Sequence, residues 1–172
     1  VMKKLLSFIF ACCLVPSALA VGGPYEEGTH YEVIAEQGTA KPEVKEYFSF
    51  YCPACFGFEP KVQALAKQLP AGAELKKVHV DFLGGVPQEM QSALSRAYVV
   101  GKNAGQAEQV SAVIFNYIHR QRATFASDAD IRSVLLVNDF DAATFDNTYN
   151  SMPVLSDAVH NKCTWLVINT HA

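Results

Sequence analysis

Two hydrophobic rhythms divide the chain. Val44-Lys45-Glu46-Tyr47-Phe48-Ser49-Phe50-Tyr51 is dense in aromatic residues and apolar on both faces, which predicts a central buried strand. Val62, Leu65, Ala66 and Leu69 then recur at i, i+3, i+4 and i+7, the stripe of an amphipathic helix lying on that strand, and Pro70-Ala71-Gly72 stops it. Lys76 to Leu83 alternates, with Val78, Val80 and Phe82 on one face and Lys77, His79 and Asp81 on the other, and predicts a further strand. Ahead of these, a Gly- and Pro-rich lead-in from Val21 to Glu27 gives way to His30–Ala35, read as a short edge strand. Strand, strand, helix, strand is the first half of a small α/β sheet.

After Gly84-Gly85-Val86-Pro87 the period becomes helical and stays so to about Lys162. Val110, Val113, Ile114, Tyr117 and Ile118 form one apolar face. Ser127 followed by Asp130 predicts an N-cap with an acidic first turn ahead of Ile131, Val134 and Leu135, and Asp141 predicts a cap for a helix carrying Phe145 and Tyr149. The division that follows is residues 21–83 as the first part of a sheet domain, 84–160 as an inserted helical domain, and 161–172 as a remnant or altered return to the sheet.

Residues 1–20 interrupt neither rhythm. Lys3 and Lys4, an apolar run from Leu5 to Val15 and Ala18-Leu19-Ala20 together predict an export leader removed after Ala20, too short to span a bilayer. Without Lys3 and Lys4 the 14 basic residues fall to 12 against 17 acidic ones, a balance that argues against nucleic acid as a partner. Of the five cysteines, Cys12 and Cys13 leave with the leader. Cys52, Cys55 and Cys163 remain, an odd number in an oxidising compartment, which favours one functional pair over a stapled framework.

That pair sits where strand becomes helix, as Cys52-Pro53-Ala54-Cys55. Unpaired N–H groups and the positive end of the dipole at a helix N-terminus favour an anion, so Cys52 is expected as a thiolate, and Pro53 suits the first helical turn. Two thiols so placed predict a redox switch, with Cys52 exchanging and Cys55 resolving the mixed disulfide. Half of a zinc site and a structural disulfide are the competing readings of the same four residues.

The residues around the pair carry a resemblance. Tyr25-Glu26-Glu27-Gly28, Glu46 through Cys55, Phe58-Glu59, Leu69-Pro70, His79-Val80 and Phe82-Leu83-Gly84-Gly85 resemble the DsbA-type periplasmic thiol:disulfide oxidoreductases of Gram-negative bacteria, over about residues 24–160. The resemblance implies a thioredoxin-like α/β fold with an inserted helical domain. It implies that the chain oxidises cysteines of newly exported polypeptides, is reoxidised by a membrane DsbB-type partner, works as a monomer and needs no cofactor. Cys52 matches the family's nucleophile and Cys55 its buried partner. Glu46 and Lys77 match a charged pair beneath the site, and Glu59 an acidic residue on the active-site helix. Their use would be to relay the proton of Cys55; an ordinary ion pair is the alternative. His79 also matches, and with Val78 and Val80 beside it reads as structural.

Two departures stand out. Where the family commonly has His between Pro and the second Cys, this chain has Ala54, so the reduced form should be less stabilised and the couple less oxidising. The family's loop ending in a cis-proline has no counterpart: Met152-Pro153 lies in a helical context, and Val86-Pro87 leads into a helix start. Only Trp165–Ile168 then remains to form one strand, so a truncated, frame-shifted or divergent end is expected. His160 and Cys163 alone lack the further ligands of a metal site. The alternatives to an oxidase are an isomerase or reductase on the same fold, and a thioredoxin-like module that binds peptides or zinc without turnover.

Overall fold

The computed structural model describes the backbone of residues 25–169 and the side chains of residues 25–161. The leader, with Cys12 and Cys13, and the side chain of Cys163 lie outside the described residues. Residues up to Val33 and those from Ile34 onward form separate units. In the first, a tight turn with Gly28 at φ +79 brings Glu27 into a single bridge with Tyr31, and the His30 ring accepts a hydrogen bond from the Glu26 N–H at 3.0 Å. The edge strand expected over His30–Ala35 is not formed. Tyr31, Val33 and Ile34 are each more than half exposed, so these residues have neither a ladder nor the buried face that would hold one.

The second unit opens with strand β1 (Glu43–Phe48), helix α1 (Pro53–Ala66) and strand β2 (Glu74–His79). The two strands run parallel, joined through α1, in a register that sets Glu46 beside Lys77 and Phe48 beside His79. Among the described residues β1 pairs with β2 alone, so it is not the central strand that its aromatic run predicts. Its burial comes from the helical side: the Phe48 ring meets Phe50, His79 and Tyr98 edge-on at 5.2–5.3 Å. The stripe on α1 is likewise only partly covered. Val62 is buried, but Leu65 is 42% exposed, because a two-stranded sheet is too narrow to cover that face. The polar face predicted for the second strand is also corrected. His79 and Asp81 are as buried as Val78 and Val80, while Phe82 is 38% exposed, since helix α2 packs over the side that alternation assigned to water.

The remaining elements are α2 (Gln88–Asn103), α3 (Ala107–Phe115) continuing into a π-helical turn (Asn116–Arg120), α4 (Asp128–Leu136), α5 (Ala142–Thr148) and α6 (Met152–Asn169). Helix α2 is the core: Ala93, Leu94, Ala97, Tyr98, Val99 and Val100 are all buried. Gly101 admits α3, since a Cβ there would lie 2.5 Å from Val110 Cγ2. Ser127 and Asp130 form a reciprocal capping box on α4, and the Asp141 carboxylate accepts the Thr144 N–H at 2.6 Å at the start of α5. Val86-Pro87 leads into α2 as the sequence predicts, and Met152-Pro153, read from the sequence only as lying in a helical context, opens α6. Trp165–Ile168 is helical, not a strand. No Gly or Pro interrupts Asn161–Ile168, so the helical hydrogen bonds simply continue.

Candidate active site

The turn between β1 and α1 holds the two cysteines. The Cys52 N–H donates to the Ser49 carbonyl at 3.0 Å, and the Phe56 N–H to the Cys52 carbonyl at 3.1 Å. Cys52 is the N-cap of α1, in extended backbone geometry (φ −90, ψ 110), with Pro53 behind it in the first turn. Its sulfur accepts the Cys55 N–H at 3.2 Å, so one of the helix's otherwise unpaired donors is aimed at that sulfur. Both cysteines are free thiols, each half-buried, whereas Pro53 and Ala54 are exposed. Burial, the neighbouring Cys52 sulfur and the negative charge of Glu46 push the Cys55 thiol up to about 11. The pair is therefore unequal: one sulfur faces a donor, and the other is held in its protonated form.

Beneath the pair lie the three predicted charged residues, and the fold brings all of them together. The parallel register sets Glu46 against Lys77, with Nζ 3.2 Å from Oε2. Glu59, four residues after Cys55 and so on the same face of α1, takes the same ammonium in a close hydrogen bond. All three side chains are 13–16% exposed, and the Lys77 ammonium also sits 4.7 Å from the centre of the Phe48 ring. Burial raises the Glu46 carboxyl above its ordinary range, Lys77 pulls it back, and Glu59 adds to the rise. The arrangement is one cation shared by two carboxylates, more than the simple ion pair considered from the sequence.

His79 is structural. It is fully buried, its Nε2 accepts the Phe50 N–H at 3.1 Å, and its Nδ1 therefore carries the proton that reaches Ser95 Oγ at 2.7 Å. Burial drives its pKa down to about 3, so the ring is neutral and pins the residue two before Cys52. One residue at the site escapes the sequence reading altogether. His119, on the π-helical turn, reaches the Phe50 carbonyl at 2.8 Å and stacks on Phe56 at 5.0 Å with the rings 10° apart. The apolar count through Tyr117 and Ile118 hid it, because the wider π turn shifts the phase after Phe115. The available signal was a histidine one turn beyond that buried phenylalanine. A cleft of about 760 Å³ opens between Tyr51, the residue before Cys52, and Val86, Pro87, Met90 and Phe125; neither cysteine lines it.

A dithiol at the N-terminus of a helix, fed by a parallel strand and backed by a buried charge cluster, defines a thioredoxin-like redox protein. The chain belongs to the DSBA-like thioredoxin domain family, whose model matches residues 43–162. It is 34% identical over 158 residues to the thiol:disulfide interchange protein DsbA of Dickeya dadantii and 31% identical to that of Escherichia coli, in each case over 90% of this chain and 73% of the relative. Among solved structures it is similar to Proteus mirabilis DsbA in complex with a non-covalently bound peptide, PWATCDS (TM-score 0.74, 27% identity, 87% of this chain and 79% of that one). It is also similar to the disulfide oxidoreductase DsbA of the same organism (TM-score 0.69, 29% identity, 84% and 76%).

Proposed function

We propose that this chain is a thiol:disulfide oxidoreductase that donates a disulfide to newly exported, cysteine-containing polypeptides through Cys52 and Cys55. In the oxidised protein a substrate thiolate attacks the Cys52 sulfur, and the Cys52–Cys55 bond breaks as the mixed disulfide forms. The leaving Cys55 thiolate takes up a proton, in keeping with a thiol pushed up to about 11 in the product. A second substrate thiolate then attacks the substrate sulfur of the mixed disulfide and releases Cys52 as a thiolate. The substrate leaves with one disulfide and the protein keeps two electrons as the dithiol. Glu46, Lys77 and Glu59 buffer the Cys55 proton: Glu46 is a carboxyl raised by burial whose charge Cys55 feels, and Lys77 sets how far it rises.

The observation that carries this reading is the asymmetry of the pair, in which Cys52 Sγ caps α1 by accepting the Cys55 N–H while Cys55 is kept as a thiol. Reoxidation falls to a membrane DsbB-type partner, the chain acts as a monomer outside the cytoplasm after its leader is cut at Ala20, and residues 84–160 form the helical insert. The leader pattern and the family support these assignments. Ala54, exposed and without a hydrogen-bonding side chain, favours a milder oxidant and keeps an isomerase or reductase as the second reading.

The test is turnover of a reduced peptide containing two cysteines by the oxidised protein. Given a disulfide-bonded peptide, the Cys52 thiolate of Cys55→Ser should open that disulfide and accumulate as a mixed disulfide, because no second protein thiol resolves it, and Cys52→Ser should be inert in both assays. Thiols that titrate in the reduced protein only after a chelator is added would point instead to a zinc-binding module. Stronger reshuffling of a scrambled disulfide substrate than oxidation of a reduced one would favour the isomerase.

A further inference from the structure

The Phe50 peptide, two residues before Cys52, is held from both sides. His79 of β2 accepts its N–H, and the carbonyl accepts a hydrogen bond from His119 Nε2 at 2.8 Å, which requires that nitrogen to carry the proton. The same His119 ring stacks on Phe56, the residue after Cys55, and lies 5.9 Å from Phe115 in the core. The Arg120 guanidinium lies 5.6 Å from the Phe56 ring. His119 is thus in contact with the chain immediately before and immediately after the Cys52-Pro53-Ala54-Cys55 turn. It reaches there from the one π-helical turn among the described residues, where the Gln121 N–H bonds the Asn116 carbonyl five residues back. The π turn ends α3, and its wider winding is what carries His119 to Phe50 and Phe56.

Resting on the redox reading above, we propose that His119 is a positioning residue for the cysteine pair. It fixes the Phe50 carbonyl and Phe56 so that Cys52 stays at the N-cap of α1 with its sulfur against the Cys55 N–H, the geometry of the dithiol state. In a motif with Ala54 between Pro and Cys, the imidazole at the site then comes from the helical insert and acts through the backbone. The contact is seen with both thiols free; on this proposal it is made in that state only, so its loss should make the reduced form harder to reach.

The measurement is the equilibrium in which one protein disulfide and two glutathione thiols give the protein dithiol and one glutathione disulfide. His119→Phe keeps a stacking ring and loses the donor; its equilibrium constant should fall about fivefold, the worth of one hydrogen bond made in one state only. His119→Gln keeps an N–H donor and should stay within about twofold of wild type on the same reasoning. An unchanged or raised constant in His119→Phe overturns the proposal. If His119→Phe does not fold, histidine-labelled wild type decides: the His119 Nε2 proton should exchange more slowly with solvent in the dithiol than in the disulfide form, and equal rates overturn it. A wild type that never exchanges with glutathione would sink the functional reading and this inference together. Normal wild-type exchange with an unaltered His119→Phe would sink the inference alone.

Discussion

Acidification from pH 7.5 to 4.5 should cost the fold about 2–3 kcal/mol through one side chain, His79, with its folded pKa near 3 and its unfolded one near 6.5. The unfolded chain binds a proton at this ring as pH falls through 6.5, and the folded chain does not. Stability is therefore fully present above pH 6.5 and is lost at up to about 1.4 kcal/mol per unit on the way down. The cause is geometric: protonating Nε2 would remove the acceptor of the Phe50 N–H and place a charge in a fully buried site between Phe48 and Phe50. His79→Gln has an amide oxygen to accept from Phe50 and an amide N–H for Ser95, and no titration. Urea denaturation of the dithiol form at pH 7.5 and 4.5, wild type against His79→Gln, isolates the histidine, because the oppositely signed contribution of Glu46 is common to both proteins. For a chain of this length the wild type should lose about 5–10 °C more in Tm than the variant over that interval. Equal pH dependence in the two proteins, or a His79 ring signal that titrates above pH 5, would refute the argument.

Three further outcomes follow from the packing and the charge cluster. Lys77→Met leaves Glu46 and Glu59 facing each other without their shared cation. It should destabilise by about 2 kcal/mol at pH 7.5, between the values for exposed and fully buried pairs, and by clearly less at pH 4.5, where protonation of Glu46, whose pKa burial raises and Lys77 no longer lowers, relieves the repulsion; an equal loss at both pH values in urea titrations would contradict this. Gly101→Ala sets a Cβ 2.5 Å from Val110 Cγ2, an overpacking of about 1–3 kcal/mol that outweighs the roughly 1 kcal/mol gained in helix propensity, so Tm should drop and Val110→Ala should restore part of it. The dithiol form should lose stability as pH rises from about 9 toward about 11, because Cys55 ionises more readily unfolded than folded; the disulfide form, which has no such thiol, should lack that slope in thermal melts.

What could be read along the chain was whatever a short segment settles by itself. The hydrogen bonds of a helix are internal to it, so its apolar period and caps are visible in sequence: Ser127 with Asp130, Asp141, and the start after Pro87 all stand where the pattern put them. The cysteine pair was visible for the same reason, since the N-terminus of a helix is a local electrostatic environment and Cys52-Pro53-Ala54-Cys55 occupies it. Glu46, Lys77 and Glu59 could be named through family resemblance, but their meeting around one ammonium required the parallel register of β1 and β2.

Strands and faces depend on partners elsewhere, and there local pattern failed. His30–Ala35 and Trp165–Ile168 have strand-like composition without a ladder to join, so one stays irregular and the other continues a helix. Alternation assigned His79 and Asp81 to solvent, and α2 buried them; the stripe on α1 assigned Leu65 to the core, and a two-stranded sheet left it exposed. His119 belongs to the same class, because a π turn changes which side of the helix a residue faces and only packing against Phe56 and Phe50 gives that change a use. The amino-acid order by itself determined where helices start and which two sulfurs share the N-terminus of α1. Tertiary structure alone decided what holds the turn that carries those sulfurs, because the polar groups and rings that do so come from as far along the chain as His119, 69 positions from the Phe50 carbonyl it reaches.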